Sequence, residues 1–260
     1  MTSLAAGWRT QRRVISALMV RELVTRFGRE NIGFLWIMAE PLLFAGLVGI
    51  VWRFMKGPED NGVGVFAFIA SGYIPLTMFR NAVGRSVRVF SVNGSLMYHR
   101  QIKILDFMVV RFLIEMIGAM MAYVFIAALL MSFGEFPVPA DLGPFFLGWL
   151  LYCLFSFSLC LVLAPLSEMS DVLEKFIPVT IYISIPFSGT FSMLSWFAPE
   201  AQKWMYYSPF VHAMEMMRYG IFGSRVNATW DVSVPIAASI VLLLIGLVLC
   251  RRIRRQLVVE

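Results

Sequence analysis

Long apolar stretches separated by short basic or turn-rich connections set the pattern of this chain. The clearest runs from Ser233 to Cys250 without a charge and is followed at once by Arg251, Arg252, Arg254 and Arg255. A helix of about 18 apolar residues is long enough to cross a bilayer, and a basic cluster at its end marks the cytoplasmic side. The same pattern predicts five more spans. The first covers Gly33 to Met55 and contains Glu40-Pro41; the second covers Val63 to Phe79 and continues as helix toward Arg88. The third, Phe107 to Phe133, carries Arg111 and Glu115 near its start. The fourth, Leu142 to Ser167, and the fifth, Phe176 to Phe197, hold no charge.

Orientation follows from Lys and Arg in the connections. Arginines crowd residues 1–30 and 80–111, whereas the links around Lys56–Asp60 and Gly134–Pro137 are short and not basic. Both termini and the long basic loop are therefore expected in the cytoplasm. The link from Ser167 to Lys175 departs from the rule through Glu168, Asp171 and Glu174, but acidic residues weigh little in it. Trp204–Gly223 is apolar too, yet contains Pro209, His212, Glu215 and Arg218. That set is costly on a lipid-facing helix, and a seventh crossing would put the terminal arginines outside. A re-entrant hairpin on the outer side, over about 198–225, is expected instead. At the N-terminus, Trp8, Ile15, Met19, Leu23 and Phe27 share one helical face, with arginines mostly elsewhere. That pattern predicts a helix lying in the cytoplasmic interface, or one packed on a partner.

Composition agrees: 59% of the 260 residues are hydrophobic, 15% are charged, and mean hydropathy is +0.77. Soluble domains carry about 25% charged residues. The net charge of +6 is read as basic cytoplasmic loops, not as a nucleic-acid surface. No cleavable leader is expected, because no apolar core with a small-residue cleavage site follows the first arginines. Cys153, Cys160 and Cys250 lie in or at the end of spans and are read as apolar fillers, with no metal site. The expected fold is thus an all-α membrane protein of six transmembrane helices in one domain, 1–260. It comprises an interface helix at 1–31, a membrane domain at 33–250 and a tail at 251–260.

No GxxxxGK[ST], GxGxxG or HExxH occurs, so the energy for any active transport must come from another polypeptide or an ion gradient. Arg21-Glu22-Leu23, Thr25-Arg26-Phe27-Gly28, Gly33-Phe34-Leu35-Trp36 and Glu40-Pro41 resemble the N-terminal signature of ABC-2 type permeases that export polysaccharides. Asn93-Gly94-Ser95-Leu96-Met97-Tyr98-His99-Arg100-Gln101 agrees, as does Ser208-Pro209-Phe210-Val211-His212 with Glu215 and Arg218. Taken in order, these pieces resemble the membrane subunit of Gram-negative capsular-polysaccharide exporters over nearly the whole chain. The loop departs from the pattern at Gln101-Ile102-Lys103, which lacks a proline.

The resemblance implies a homodimer in the bacterial inner membrane, served by two cytoplasmic ATPases that bind ATP and Mg, with lipid-linked polysaccharide as substrate. Periplasmic and outer-membrane export proteins are further expected partners, and no cofactor is expected on this chain. The loop at about 92–105 would be the coupling helix, with Ser95, Leu96, Met97, Tyr98, His99, Arg100 and Lys103 meeting the ATPase. Leu96, Met97 and Tyr98 offer an apolar anchor, and His99, Arg100 and Lys103 a basic rim. Arg21, Arg26 and Arg29 belong to the interface helix.

For Arg80, Arg85 and Arg88 two readings stand: contact with an anionic polymer or lipid phosphate, or snorkelling toward headgroups. Glu40 and Glu115 are expected to pair with arginines, Glu115 with Arg111 one turn away. Tyr182 and Phe187 are deep enough to line a channel, whereas Trp204, Tyr206 and Tyr207 suit an interfacial belt. His212, Glu215 and Arg218 share one helical face and are read as a polar brace for the hairpin, not as metal ligands or catalytic groups. Export of O-antigen or teichoic acid, or a membrane role in polymer synthesis, are the alternative functions.

Overall fold

The computed structural model describes residues 4–27, 36–97 and 102–257, and it is almost wholly helical. The chain begins with α1 (Leu4–Phe27) and α2 (Trp36–Lys56). A small hairpin, β1 (Glu59–Asp60) with β2 (Val63–Gly64), turns it into α3 (Val65–Ser86). Two short turns, α4 (Val89–Val92) and α5 (Gly94–Met97), precede α6 (Ile104–Ser132), α7 (Leu142–Met169) and α8 (Asp171–Ser184). Then come 3-10 turns at Pro186–Ser188 and Leu194–Trp196, α9 (Pro199–Met205), α10 (Pro209–Phe222) and α11 (Ser233–Leu257).

Side-chain pairs fix the directions. Phe44 stacks on Tyr73, ring centroids 3.7 Å apart, which sets the start of α2 against the middle of α3. Phe112 meets Phe157, and Tyr123 meets Phe145, so α6 and α7 run antiparallel. Cys153 contacts Met78, and Arg88 contacts Ser167, so α3 and α7 run the same way. Cys250 reaches the Leu161 carbonyl, which brings the end of α11 beside the end of α7. One end of the bundle therefore collects α1, the ends of α3, α7 and α11, and the starts of α6 and α8. It is the arginine-rich end.

α2, α6, α7 and α11 contain stretches long and apolar enough to cross a membrane: Met38–Lys56, Ile104–Ser132, Leu142–Met169 and Ser233–Arg254. α3 does not reach that measure, since Ser71, Thr77 and Arg80 dilute it. The expected fifth span needs correction. Phe176–Phe197 is not one helix: α8 has 14 residues, which at 1.5 Å each reach about 21 Å, short of a bilayer core of about 30 Å. Gly189, at φ 68, then takes the left-handed turn that ends the first 3-10 turn.

α10 lies flat against the first half of α7. Asp141 caps α7 by accepting the Gly143 N–H at 2.8 Å. Gly220 lets the two helices approach, because a Cβ there would sit 2.6 Å from the Phe145 nitrogen. Phe210, at the other end of α10, fits among Phe79, Tyr152 and Phe155. α10 thus points back toward the start of α7. With the 185–198 segment and α9 it forms a cap at the end opposite the arginines.

Candidate functional site

At the arginine-rich end, α1 crosses the start of α6 and is held there by polar side chains. Gln11 donates to Asp106, and Glu22 lies 3.4 Å from Arg111. Arg26 Nη1 lies 2.5 Å from Glu115 Oε1, and Arg85 Nε reaches the same oxygen at 2.8 Å. Arg111 donates to the Arg85 carbonyl at 2.6 Å. The expected Arg111–Glu115 pair does not form. Helical spacing brings the two within a turn, but α1 supplies Glu22 to one and Arg26 to the other. On α1 itself, Ile15, Met19 and Leu23 pack against the core while Trp8 is 72% exposed.

A second set of contacts fixes the loop after α3. Arg88 sits in the left-handed region at φ 49, with its N–H bonded to Ser167 Oγ at 3.1 Å. Its guanidinium meets Asp171 at 2.5 Å and Glu174 at 2.7 Å, both in the first turn of α8. Glu168 Oε1 accepts the N–H groups of Phe90 at 2.9 Å and Ser91 at 3.0 Å, which satisfies the otherwise open start of α4. Asn93 accepts from Arg21 and donates to the Val89 carbonyl at 2.8 Å. The loop therefore bridges α1 to the α7–α8 corner.

Of the residues expected in the coupling loop, Ser95 and Met97 lie on α5, and Leu96 packs partly against the core. Lys103 is exposed, and its N–H bonds Asp106 at 2.8 Å to start α6. Tyr98, His99 and Arg100 lie outside the described residues, as does Arg29. Arg80 stands apart from the network, half-buried, with Nη1 3.5 Å from the Tyr73 hydroxyl. Among the described residues it pairs with no carboxylate, unlike Arg85 and Arg88. Tyr182 and Phe187 are 64% and 51% exposed, on a face of α8 and its extension that the rest of the chain leaves uncovered.

At the cap, His212, Glu215 and Arg218 project from one face of α10 and are all buried. Arg218 donates to the carbonyls of Gly189 at 2.6 Å, Ser192 at 3.1 Å and Thr190, and lies 3.8 Å over the Phe68 ring. Gly72 makes room for this, since a Cβ there would strike the Thr190 carbonyl. Glu215 accepts the Leu194 N–H at 2.8 Å and the Thr229 N–H at 3.1 Å, tying segments on both sides of α10 together. His212 Nδ1 accepts the Asp231 N–H at 3.0 Å, so its Nε2 carries the proton given to the Tyr206 carbonyl at 2.6 Å. Burial lowers the His212 pKa and raises that of Glu215; burial also brings Arg218 down to about 10. Among the described residues no group of three or more His, Cys, Asp or Glu gathers to hold a metal.

The two ends do different physical work. The arginine-rich end is a joint in which polar side chains link the 88–97 loop, α1, α6 and α8. The cap is a folded-back segment pinned by three buried side chains. A family model for ABC-2 type transporters matches residues 13–222. The chain belongs to that family. Capsule polysaccharide export inner-membrane protein CtrC of Neisseria meningitidis serogroup B is 37% identical over 246 residues, covering 95% of this chain and 93% of that protein. Capsule polysaccharide export inner-membrane protein BexB of Haemophilus influenzae is 34% identical over 241 residues, covering 93% and 91%. Polysialic acid transport protein KpsM of Escherichia coli is 25% identical over 250 residues, covering 95% of each.

For this ABC-2 chain, sequence reasoning missed several residues that build the joint. Glu168, Asp171 and Glu174 read only as an exception in a charge rule, yet they hold Arg88 and the start of α4. Asp106 had a visible signal: an acid three residues into a helix accepts the N–H that precedes it. Asn93 was visible as part of the loop motif but not as the link to Arg21.

Proposed function

We propose that this chain is the permease subunit of an ATP-driven exporter that moves lipid-linked capsular polysaccharide across the bacterial inner membrane. Likeness to CtrC and BexB over nearly full length supports the substrate class. The observation that carries the mechanism is the joint at the arginine-rich end. It connects the 88–97 loop to α1, α6 and the α7–α8 corner through charged side chains. A partner ATPase, binding ATP and Mg, docks on the 92–105 loop, and its closure moves that corner as one piece.

In this reading α2, α3, α6, α7 and α11 cross as helices and α8 with the irregular 185–198 segment completes a sixth crossing, with both termini cytoplasmic and α9 and the start of α11 on the outer side. α1 lies at the cytoplasmic interface with Arg9, Arg12 and Arg13 toward headgroups, while Arg21 and Arg26 serve the joint. Irregular backbone follows α8, and at membrane depth such backbone needs protein or water around it. Two copies, facing each other across the uncovered side of α8, supply that setting. Tyr182 and Phe187 then line the passage, and Arg80, half-buried and paired with no carboxylate among the described residues, meets the anionic end of the substrate. Arg85 and Arg88 contribute through the joint, and His212, Glu215 and Arg218 brace the cap. Periplasmic export proteins receive the polymer.

Removing the chain from its native cells tests the function. The expected result is polymer accumulating inside, with surface polymer restored by the intact chain. Normal surface polymer without the chain would refute the proposal. Internal polymer failing to form would favour a role in synthesis.

A further inference from the structure

A cleft of about 700 Å³ opens in the cap between α9, the turn at Leu194–Ser195 and the returning segment at Asn227–Thr229. Sites for small ligands typically occupy about 300–1,000 Å³. Both walls are fixed to α10 by buried side chains. Glu215 takes the N–H groups of Leu194 and Thr229, at 2.8 and 3.1 Å, one from each wall. His212 holds the Tyr206 carbonyl at 2.6 Å. The cleft is therefore set before any ligand arrives.

Its chemistry is specific. Two tyrosines, Tyr206 and Tyr207, line it, and Tyr207 is 76% exposed. The side-chain polar groups of Ser195, Tyr206, Tyr207, Asn227 and Thr229 make no hydrogen bond within the chain among the described residues, so each is open to a ligand. Lys203 at the rim is matched by Glu200 at 3.0 Å, which leaves the lining without a dominant charge. Rigid rings supply contact area, and hydroxyls with an amide supply adaptable hydrogen bonds. An anion would call for unpaired guanidinium groups, and the lining instead mixes apolar surface with polar groups. Rings beside uncommitted hydroxyls suit a molecule with C–H faces and many hydroxyls.

We infer that this cleft is a saccharide-binding subsite that takes a short stretch of glycan on the outer side of the cap. The inference rests on the export reading, because it places the polymer there after crossing. Holding a segment outside would disfavour backward slippage between strokes.

The test uses the full chain in lipid nanodiscs. The probe is surface polysaccharide of the producing cells, hydrolysed to short oligomers, with maltohexaose as a neutral comparison. Saturation-transfer NMR should show oligomer protons in contact with the protein. Tyr207→Ala and Asn227→Ala should each weaken binding about tenfold, and Tyr207→Phe should keep most of it. Both side chains are exposed, so unchanged melting of the variants separates binding loss from misfolding. No transfer to the oligomers, or equal binding by wild type, Tyr207→Ala and Asn227→Ala, would overturn the subsite. The export reading stands or falls separately, on surface polymer and ATP hydrolysis. A failed cleft with intact export removes only the subsite.

Discussion

Arg85 and Glu115 meet at 2.8 Å where α3 ends and α6 begins, and Arg26 of α1 shares the same carboxylate oxygen. One buried acid thus joins three elements. Removing its charge leaves two guanidiniums facing each other without a counter-ion. Glu115→Gln should cost about 2 kcal/mol, the scale of a hydrogen bond to a charged group. That corresponds to melting lowered by roughly 4–8 °C in detergent. The double variant Arg26→Gln with Glu115→Gln should lose less than the two single losses added together. Strict additivity would mean that α1 is not docked through this pair.

Arg88 poses the opposite case. Its partners are surface carboxylates, and such pairs contribute about 0–1 kcal/mol. Arg88→Ala should therefore leave melting nearly unchanged while loosening the loop. Hydrogen exchange at Phe90 and Ser91 should speed up, and more so in Glu168→Ala, which removes the acceptor of both N–H groups. Unaltered exchange in both variants would show that the loop does not depend on the α7–α8 corner.

Acid should loosen the cap. Burial lowers the His212 pKa below its ordinary value of 6.5, so the unfolded chain takes up the proton more readily. The stability that neutral His212 contributes is present above pH 6.5 and is lost as pH falls through 6.5 toward the lowered value. Protonation also removes the acceptor for the Asp231 N–H. Glu215, with its pKa raised by burial, offsets part of this, because the folded form takes its proton more readily. Protease sensitivity of the cap should therefore rise from pH 7.5 to pH 5.5, and His212→Gln should flatten that dependence. An identical pH response in both proteins would exclude His212 as the cause.

Topology is open to labelling. Cys153, Cys160 and Cys250 are all buried, so the background is low. Cysteines placed at the exposed positions Ser224 and Asn227 should react with an impermeant reagent added to the outer side of intact cells. Reaction only after the inner face is opened would reverse the orientation.

Much of the helical layout was legible because membrane-crossing helices need long, mostly apolar runs, and α2, α6, α7 and α11 have them. The fifth span misled because Phe176–Phe197 is apolar throughout, and hydropathy does not register where backbone leaves the helix. Gly189 and Pro186 were the local signals. The three-residue rhythm of His212, Glu215 and Arg218 placed them on one face, since α10 is regular. Most of their partners could not be read, because they are backbone groups of loops 14 to 29 residues away. Glu115 shows the same limit. Its helical neighbour Arg111 was visible along the sequence, but Arg26 and Arg85 arrive only through packing.

The most direct test joins the chain to its motor. Co-reconstituted with a candidate ABC ATPase from the producing cells, the chain should bind that protein and raise ATP hydrolysis when purified surface polymer is added. Charge reversal at Arg100 and Lys103, with Tyr98→Ala, should abolish both the binding and the polymer response while membrane insertion stays intact. Full ATPase binding and an undiminished polymer response in that triple variant would contradict coupling through the 92–105 loop.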